Sequence, residues 1–346
     1  MPAPTAARLA HAAKVNAGAA VTFFEITTAA AFVAFAEHPA DALILEVGLG
    51  GRLDATNVVE RPALSVIMPV SLDHTDKLGS TLAQIAAEKA GILKPRVPAI
   101  VSVQPPEALE VIADVARRLG APLSVWGQDY EAFEQRGRMV FQSEQRLIDL
   151  PLPALMGQHQ VANAGTAVAA ALQLKSLGTG NDAIERGLLG AHWPARMQQL
   201  NNGPLSRLLS PGSELWLDGG HNVAGGKAIA QTLAELEERA PKPVGLVLGM
   251  MGHKDARGFI EQFRGLVRRI VTVPVPSGPE AGHDPEALAA LAACAGLNAE
   301  AAPDVETAIR RLQEVEGNPL RILICGSLYL AGLVLAQQEG VQPQTN

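Results

Sequence analysis

Along this chain short apolar runs alternate with segments of helical periodicity, an alternation compatible with few architectures. Residues 41–47, 63–68 and 98–103 read as buried strands. Residues 80–92 and 107–119 read as helices, the first with Ser80 as N-cap, Gly91 near its end and Pro95 beyond. A repeated strand–helix unit predicts a parallel sheet covered on both faces. Between residues 125 and 150 the pattern changes to short alternating segments, as in a small antiparallel patch, and residues 163–174 read as an Ala-rich helix.

A second strand–helix series starts after Arg196, with strands at 214–217, 244–248, 270–273 and 320–325. Helices are expected at 224–238, 256–266, 284–295 and 328–337, which makes this half an open α/β domain. Pro194 interrupts the pattern, so the domain boundary is placed at 193–196, giving domains 1–196 and 197–346.

A chain of 346 residues suits two cores of this kind, and 48% hydrophobic residues with only 4% aromatics suits close helix-on-sheet packing. The formal charge of -7 argues against a nucleic-acid partner or an anionic membrane surface, both of which call for a basic face. Cys294 and Cys325 both sit in apolar sequence and read as small core residues, not as a disulfide or zinc framework. The first 20 residues lack the pattern of a signal peptide, and the apolar run at 29–35 is too short to span a bilayer. A cytoplasmic protein is expected.

Chemistry concentrates where strands end. Leu43, Ile44, Leu45, Glu46 and Val47 run into Gly48, Leu49, Gly50, Gly51, Arg52, Leu53 and Asp54, a strand closing on a carboxylate and a glycine-rich loop. Ligands of parallel sheets bind at such edges, and Glu46 there suits Mg²⁺ beside phosphate oxygens; the plainer reading is a charged strand end and a tight turn. The next strand leads to Asp73, His74 and Asp76, where His74 reads as a metal ligand, a general base or a loop hydrogen-bonder. Lys89 in a last helical turn reads as an ordinary partner of the helix dipole. Asn163 reads as a helix cap. In the second domain Asp218, Gly219, Gly220, His221 and Asn222 again follow a strand, with Asp218 placed to accept ribose hydroxyls. Residues 249–255 and 325–328 close two later strands in the same way, so all three loops should gather at one sheet edge.

Taken together, these segments resemble the folylpolyglutamate synthase/dihydrofolate synthase family of bifunctional bacterial type, relatives of the Mur peptidoglycan ligases. The resemblance runs from about Val21 to the C-terminal helix in the family's order. Its most specific stretches are Leu-Glu-Val-Gly-Leu-Gly-Gly-Arg-Leu-Asp-Ala-Thr-Asn at 45–57 and Leu-Asp-His-Thr-Asp at 72–76. Glu-Lys-Ala-Gly-Ile at 88–92, Gln-x-x-Asn at 160–163 and Cys-Gly-Ser-Leu-Tyr at 325–329 agree with it. The resemblance implies Mg²⁺ ligands at Glu46 and His74, and a carbamylated lysine, a CO₂ adduct, at Lys89. It implies ATP contacts at Asn163, Arg196 and Asp218, and pterin-substrate contacts at Phe24, Glu25, Leu53 and Asp54. His253, Lys254 and Asp255 look like part of the C-terminal domain's loop at the substrate cleft. The implied reaction is amide formation from a pterin or folate acid, L-glutamate and ATP through an acyl phosphate, in a monomer. The implied architecture is a P-loop-type parallel-sheet ATPase domain followed by a Rossmann-like glutamate ligase domain.

The family also begins with a strand and a P-loop, and G-x-x-x-x-G-K-[ST] occurs nowhere in these residues. A fragment or truncated form with little activity is therefore expected, with apolar sheet uncovered. Ala195 stands where the family usually has Gly before Arg, and Gly220 where Ala is common; neither is expected to matter much. Two other readings stand beside the main one: a Mur-type amino-acid ligase, which would depend on a UDP-linked peptide, and a P-loop-less binding module, which would bind without turnover.

Overall fold

A computed structural model describes residues 3–275, 281–316 and 319–341. The chain divides into two compact units. One comprises Met1–Ala132, Phe141–Ile148 and Ala162–Ile184; the other comprises Phe133–Val140, Asp149–Val161 and Glu185–Asn346.

The first unit opens with helices α1 (Ala3–Asn16) and α2 (Phe23–Glu37). A capping box starts α2: Thr22 Oγ1 accepts the Glu25 amide at 3.2 Å while the Glu25 carboxylate accepts the Thr22 amide at 2.7 Å. Then follow β1 (Ser65–Ile67), α3 (Thr75–Leu78), α4 (Leu82–Ala90), β2 (Ala99–Val101), α5 (Pro106–Leu119) and β3 (Leu123–Val125). The three strands form a parallel sheet in the order β1-β2-β3, as the strand–helix alternation requires. α5 begins with Pro at its first position, buries Ala108, Ile112 and Ala116 at four-residue spacing, and ends at Gly120 with φ 59°. Those residues meet Ile67, Ile85, Ala86 and Val101 in the unit's core.

The expected strand at 41–47 is absent. No strand pairs with that run, and Leu43 and Ile44 are 47% and 92% exposed. An apolar run becomes a strand only when a neighbour supplies its hydrogen bonds, and among the described strands β1 pairs with β2 alone. The cap of α4 also moves by one residue. Thr81 Oγ1 accepts the Gln84 amide at 3.2 Å and Gln84 returns the bond, so Thr81 and not Ser80 begins the helix.

Strands β4 (Tyr130–Gln135), β5 (Arg138–Ser143) and β6 (Leu147–Pro151) form the small sheet foreseen at 125–150. Arg136 and Gly137, both at positive φ, make the two-residue turn between β4 and β5. Helix α6 runs Gln158–Gln173, which puts Asn163 in its second turn and rules it out as a cap. Helix α7 (Asn181–Gly190) follows.

The second unit carries β7 (Gln198–Gln199), β8 (Glu214–Leu217), α8 (Val223–Arg239), β9 (Val244–Leu248), α9 (Ala256–Glu261) and β10 (Arg269–Thr272). It continues with α10 (Pro285–Cys294), β11 (Ala299–Ala301), α11 (Val305–Glu316), β12 (Arg321–Cys325) and α12 (Leu328–Glu339). The sheet order is β11-β10-β9-β12-β8-β7, parallel except for the short edge strand β7. α9 is shorter than expected, because tight turns and Gly265 at φ 77° replace its last residues. β11 and α11 escape the sequence pattern. Both units are thus α/β with a parallel sheet, as the strand–helix alternation predicts.

At the entry edge of this sheet Arg321, 1% exposed, donates to Glu214 at 2.9 Å and also to Glu237. Lys242 completes the pair with Glu214. Burial works against the Glu214 carboxylate, but Lys242, Trp216 and Arg321 bring its pKa down to about 2. Cys325 is buried as expected, whereas Cys294 is exposed: its buried helix mates Leu288 and Ala292 lie on the inward side of α10.

Candidate active site

The glycine-rich loop of the first unit is organised by Asp54. Its Oδ2 accepts the amides of Gly48 (3.0 Å) and Leu49 (2.9 Å), and its Oδ1 accepts the amide and hydroxyl of Thr56 at 2.9 and 2.6 Å. Burial raises the carboxyl's pKa, but the Thr56 hydroxyl and these amides outweigh it and hold the group below its ordinary value. The ring of Phe24 lies on Gly48, where any Cβ would collide with it. Glu25 serves the α2 cap, and the Thr22 amide and hydroxyl hold its pKa low. Leu53 is exposed.

The same loop is fastened to the last turn of α4, and this gives Lys89 its setting. Gly51, at φ 155°, approaches the carbonyls of Glu88 and Lys89 so closely that a Cβ would stand 3.0 and 3.2 Å from them. The Arg52 amide donates to Glu88 O at 2.9 Å, and the Arg52 guanidinium grips the Glu88 carboxylate at 2.9 Å. Asn57 bridges the carbonyls of Arg52 (3.2 Å) and Gly91 (3.1 Å). Lys89 is half-buried beside them. Burial lowers its pKa and the Asp73 carboxylate partly restores it, leaving the ammonium form less favoured than in water.

Glu46 and His74 are both exposed. His74 holds φ 49°, an uncommon conformation for a residue with a side chain, with its amide donating to Asp73 Oδ1 at 2.9 Å. Among the described residues no three His, Cys, Asp or Glu side chains cluster as a metal cage. Asn163 sits on α6, which three buried hydroxyls tie to the sheet: Thr166 donates to Ser102 at 2.9 Å and receives Tyr130 at 3.3 Å. Burial pushes the Tyr130 phenol up to about 12.

In the second unit the three glycine loops gather at one edge, as the sequence led one to expect. β8, β12 and β9 are neighbours, Gly326 N donates to Gly220 O at 3.0 Å, and Gly249 N donates to Cys325 O at 3.2 Å. Asp218, 5% exposed, directly follows β8 and accepts the amides of Met197 (2.8 Å) and Gly220 (2.7 Å). Burial raises its pKa above the ordinary carboxyl value, against the pull of those amides and of Arg196 and His221. Arg196 is exposed beside it. The His159 imidazole is pushed down by burial and by Arg196. Asp255 caps α9 by accepting the Gly258 amide at 2.9 Å, with His253 and Lys254 in the loop before it. Ala195 lies at φ 54°, a conformation that costs a residue with a side chain about 1 kcal/mol.

The Mur ligase middle domain matches residues 8–171, and the Mur ligase glutamate ligase domain matches residues 206–328. The dihydrofolate synthase/folylpolyglutamate synthase of Bacillus subtilis is 32% identical over 321 residues, spanning 89% of this chain and 70% of the relative. The chain belongs to the folylpolyglutamate synthase/dihydrofolate synthase family. The family member from Mycobacterium tuberculosis is 35% identical over 294 residues, 80% of this chain and 57% of that relative. A solved structure of Escherichia coli FolC in complex with DHPP and ADP aligns with a TM-score of 0.84 at 30% identity, covering 97% of this chain and 76% of that one. Another solved structure of a bifunctional folylpolyglutamate synthase/dihydrofolate synthase, with Mn, AMPPNP and L-glutamate bound, aligns with a TM-score of 0.82 at 31% identity, covering 97% of this chain and 76% of that one. Among the described residues, no helix is long and apolar enough to cross a membrane.

Sequence reasoning missed Asp73 as a charge acting on Lys89, the hydroxyl set around Thr166, and Gln198, whose amide oxygen accepts the Ala195 amide at 2.9 Å. Only Asp73 carried a signal, its place in the Leu-Asp-His-Thr-Asp run.

Proposed function

We propose that this chain carries the ligase machinery that joins L-glutamate to a pterin acid at the expense of ATP, the acid being dihydropteroate, a glutamylated reduced folate, or both. The observation that carries the proposal is Lys89: a half-buried amine with a lowered pKa, held by the glycine loop in a chain of this family. A free amine adds to CO₂ with loss of one proton, and the resulting carbamate puts an anion where the sequence has a cation. Glu46 and His74 are the residues assigned to Mg²⁺. Magnesium keeps several waters and takes few protein ligands beside substrate phosphates, and a carboxylate and an imidazole open to solvent leave room for both. When bound, it would neutralise phosphate charge.

Asn163, Arg196 and Asp218 are assigned to the nucleotide. Phe24, Glu25, Leu53 and Asp54 are assigned to the pterin side, with Glu25 and Asp54 acting mainly by shaping the α2 start and the loop. His253, Lys254 and Asp255 are assigned to the loop of the glutamate ligase domain. The acid carboxylate attacks the γ-phosphate, giving acyl phosphate and ADP. The glutamate amine then attacks the acyl carbon, and phosphate leaves as the amine loses its proton. Residues 1–196 are assigned to the ATPase half and 197–346 to the glutamate ligase half of a cytoplasmic monomer without nucleic-acid or membrane partners. No P-loop pattern occurs among these residues, so no phosphate cradle of that kind is assigned to them.

The test is ADP release from ATP with dihydropteroate, L-glutamate and Mg²⁺, alongside ¹³C NMR of protein in labelled bicarbonate. Slow glutamate-dependent turnover, as befits residues without a P-loop pattern, and a carbamate signal lost in Lys89→Ala are expected. Turnover only with a UDP-linked peptide would make the chain a Mur-type ligase, and nucleotide binding with no turnover would make it a binding module.

A further inference from the structure

Ala195 and Met197 stand on either side of Arg196 with φ of 54° and 40°. Neither is glycine, and each backbone of this kind costs about 1–2 kcal/mol. Both side chains are buried while Arg196 is exposed. Two such residues in a span of three persist only where their surroundings over-determine them.

The surroundings here are few and specific. Gln198 Oε1 accepts the Ala195 amide at 2.9 Å. Ala195 O accepts the Gly219 amide at 2.8 Å, and Asp218 Oδ2 accepts the Met197 amide at 2.8 Å. Gln198 is itself fixed, because it pairs with Leu217 on β8, one residue before Asp218. Three of the turn's backbone polar groups are thus held by the β8 terminus and its edge strand. The Ala195 amide depends on the Gln198 side chain.

We infer that Gln198 is a positioning residue, which locks the strained turn at 195–197 so that Arg196 faces outward beside Asp218. The inference rests on the reading that Arg196 serves the nucleotide. Without the Gln198 oxygen the amide of a buried residue loses its acceptor, so Ala195 turns to negative φ and Arg196 swings with the backbone. Fixing the Cα–Cβ direction of a long, flexible cation limits what must be ordered when an anion arrives.

The test joins amide hydrogen exchange to ADP calorimetry on the whole chain, for the native protein, Gln198→Met, Gln198→Glu, Gln198→Met/Ala195→Gly and Arg196→Met. Gln198→Met is expected to lose protection at the Ala195 amide and to weaken ADP binding about tenfold. Gln198→Glu keeps an acceptor oxygen and is expected to keep both properties. Adding Ala195→Gly should recover most of the affinity, because glycine holds φ 54° without strain. Unchanged Ala195 protection in Gln198→Met, or a Gln198→Glu as defective as Gln198→Met, would overturn the lock. Lost protection with unaltered ADP affinity would overturn the positioning role. Arg196→Met that matches the native protein in ADP binding would instead overturn the nucleotide reading, while the exchange data still decide the lock.

Discussion

Lys89 is pulled by two demands, burial in the last turn of α4 and the charge of Asp73. Burial wins, so folding disfavours the protonated amine. For a base with a lowered pKa the cost is full below the folded value and vanishes as pH rises through the ordinary value of 10.5. Lys89→Met is therefore expected to raise the unfolding midpoint at neutral pH, by a margin that narrows toward pH 10.5, while cutting ligase turnover about a hundredfold or more. A variant less stable than the native protein at pH 7 would contradict the burial argument. At this scale the sequence had little to offer beyond motif matching. A lysine before Ala90 and Gly91 looks like any helix end. What distinguishes it is the loop at 48–57 and Asp73, which reach it only through the fold. Asp54 shows the converse: a residue with a ligand-like place in sequence spends both oxygens on its own loop.

Elements were legible where local chemistry sets them. The buried spacing, Pro and Gly of α5, and the runs of β8 and β9, could be placed within a residue or two. They failed where pairing or competition decides: the run at 41–47 lacked a partner, and Thr81 displaced Ser80 because Gln84 lies three residues after it. The junction of the glycine loop with α4 is a test of close approach. A Cβ on Gly91 would stand 2.5 Å from the Arg52 Cα, so Gly91→Ala is expected to destabilise by about 2 kcal/mol in denaturant unfolding and to lower turnover. The ion cluster where β8 and β12 begin makes a second. Arg321→Met is expected to cost about 3 kcal/mol, since it strips a partner from Glu214 and Glu237. Glu214, lowered to about 2 from 4.5, stabilises fully above pH 4.5 and loses that contribution as pH falls toward 2. Glu214→Gln should therefore show a flatter stability profile across that window.

For the molecule as a whole, the exposed apolar residues have a consequence in solution. Phe23 is 74% exposed, and Ile44 and Leu43 also face solvent. Such surface favours association, so dynamic light scattering is expected to show concentration-dependent growth that Ile44→Lys reduces. Equal scattering from both proteins would show that this run does not drive contact. The sequence by itself determined the α/β class, the strand–helix order of the second half, and the family, because periodicity and motif spacing are local properties. Only the tertiary structure decided that residues 41–47 go unpaired, that the Asp73 charge acts on Lys89, and that the Gln198 side chain accepts the Ala195 amide. Each of those depends on which distant backbone supplies a hydrogen-bond partner or excludes water, and a linear order of residues does not contain that information.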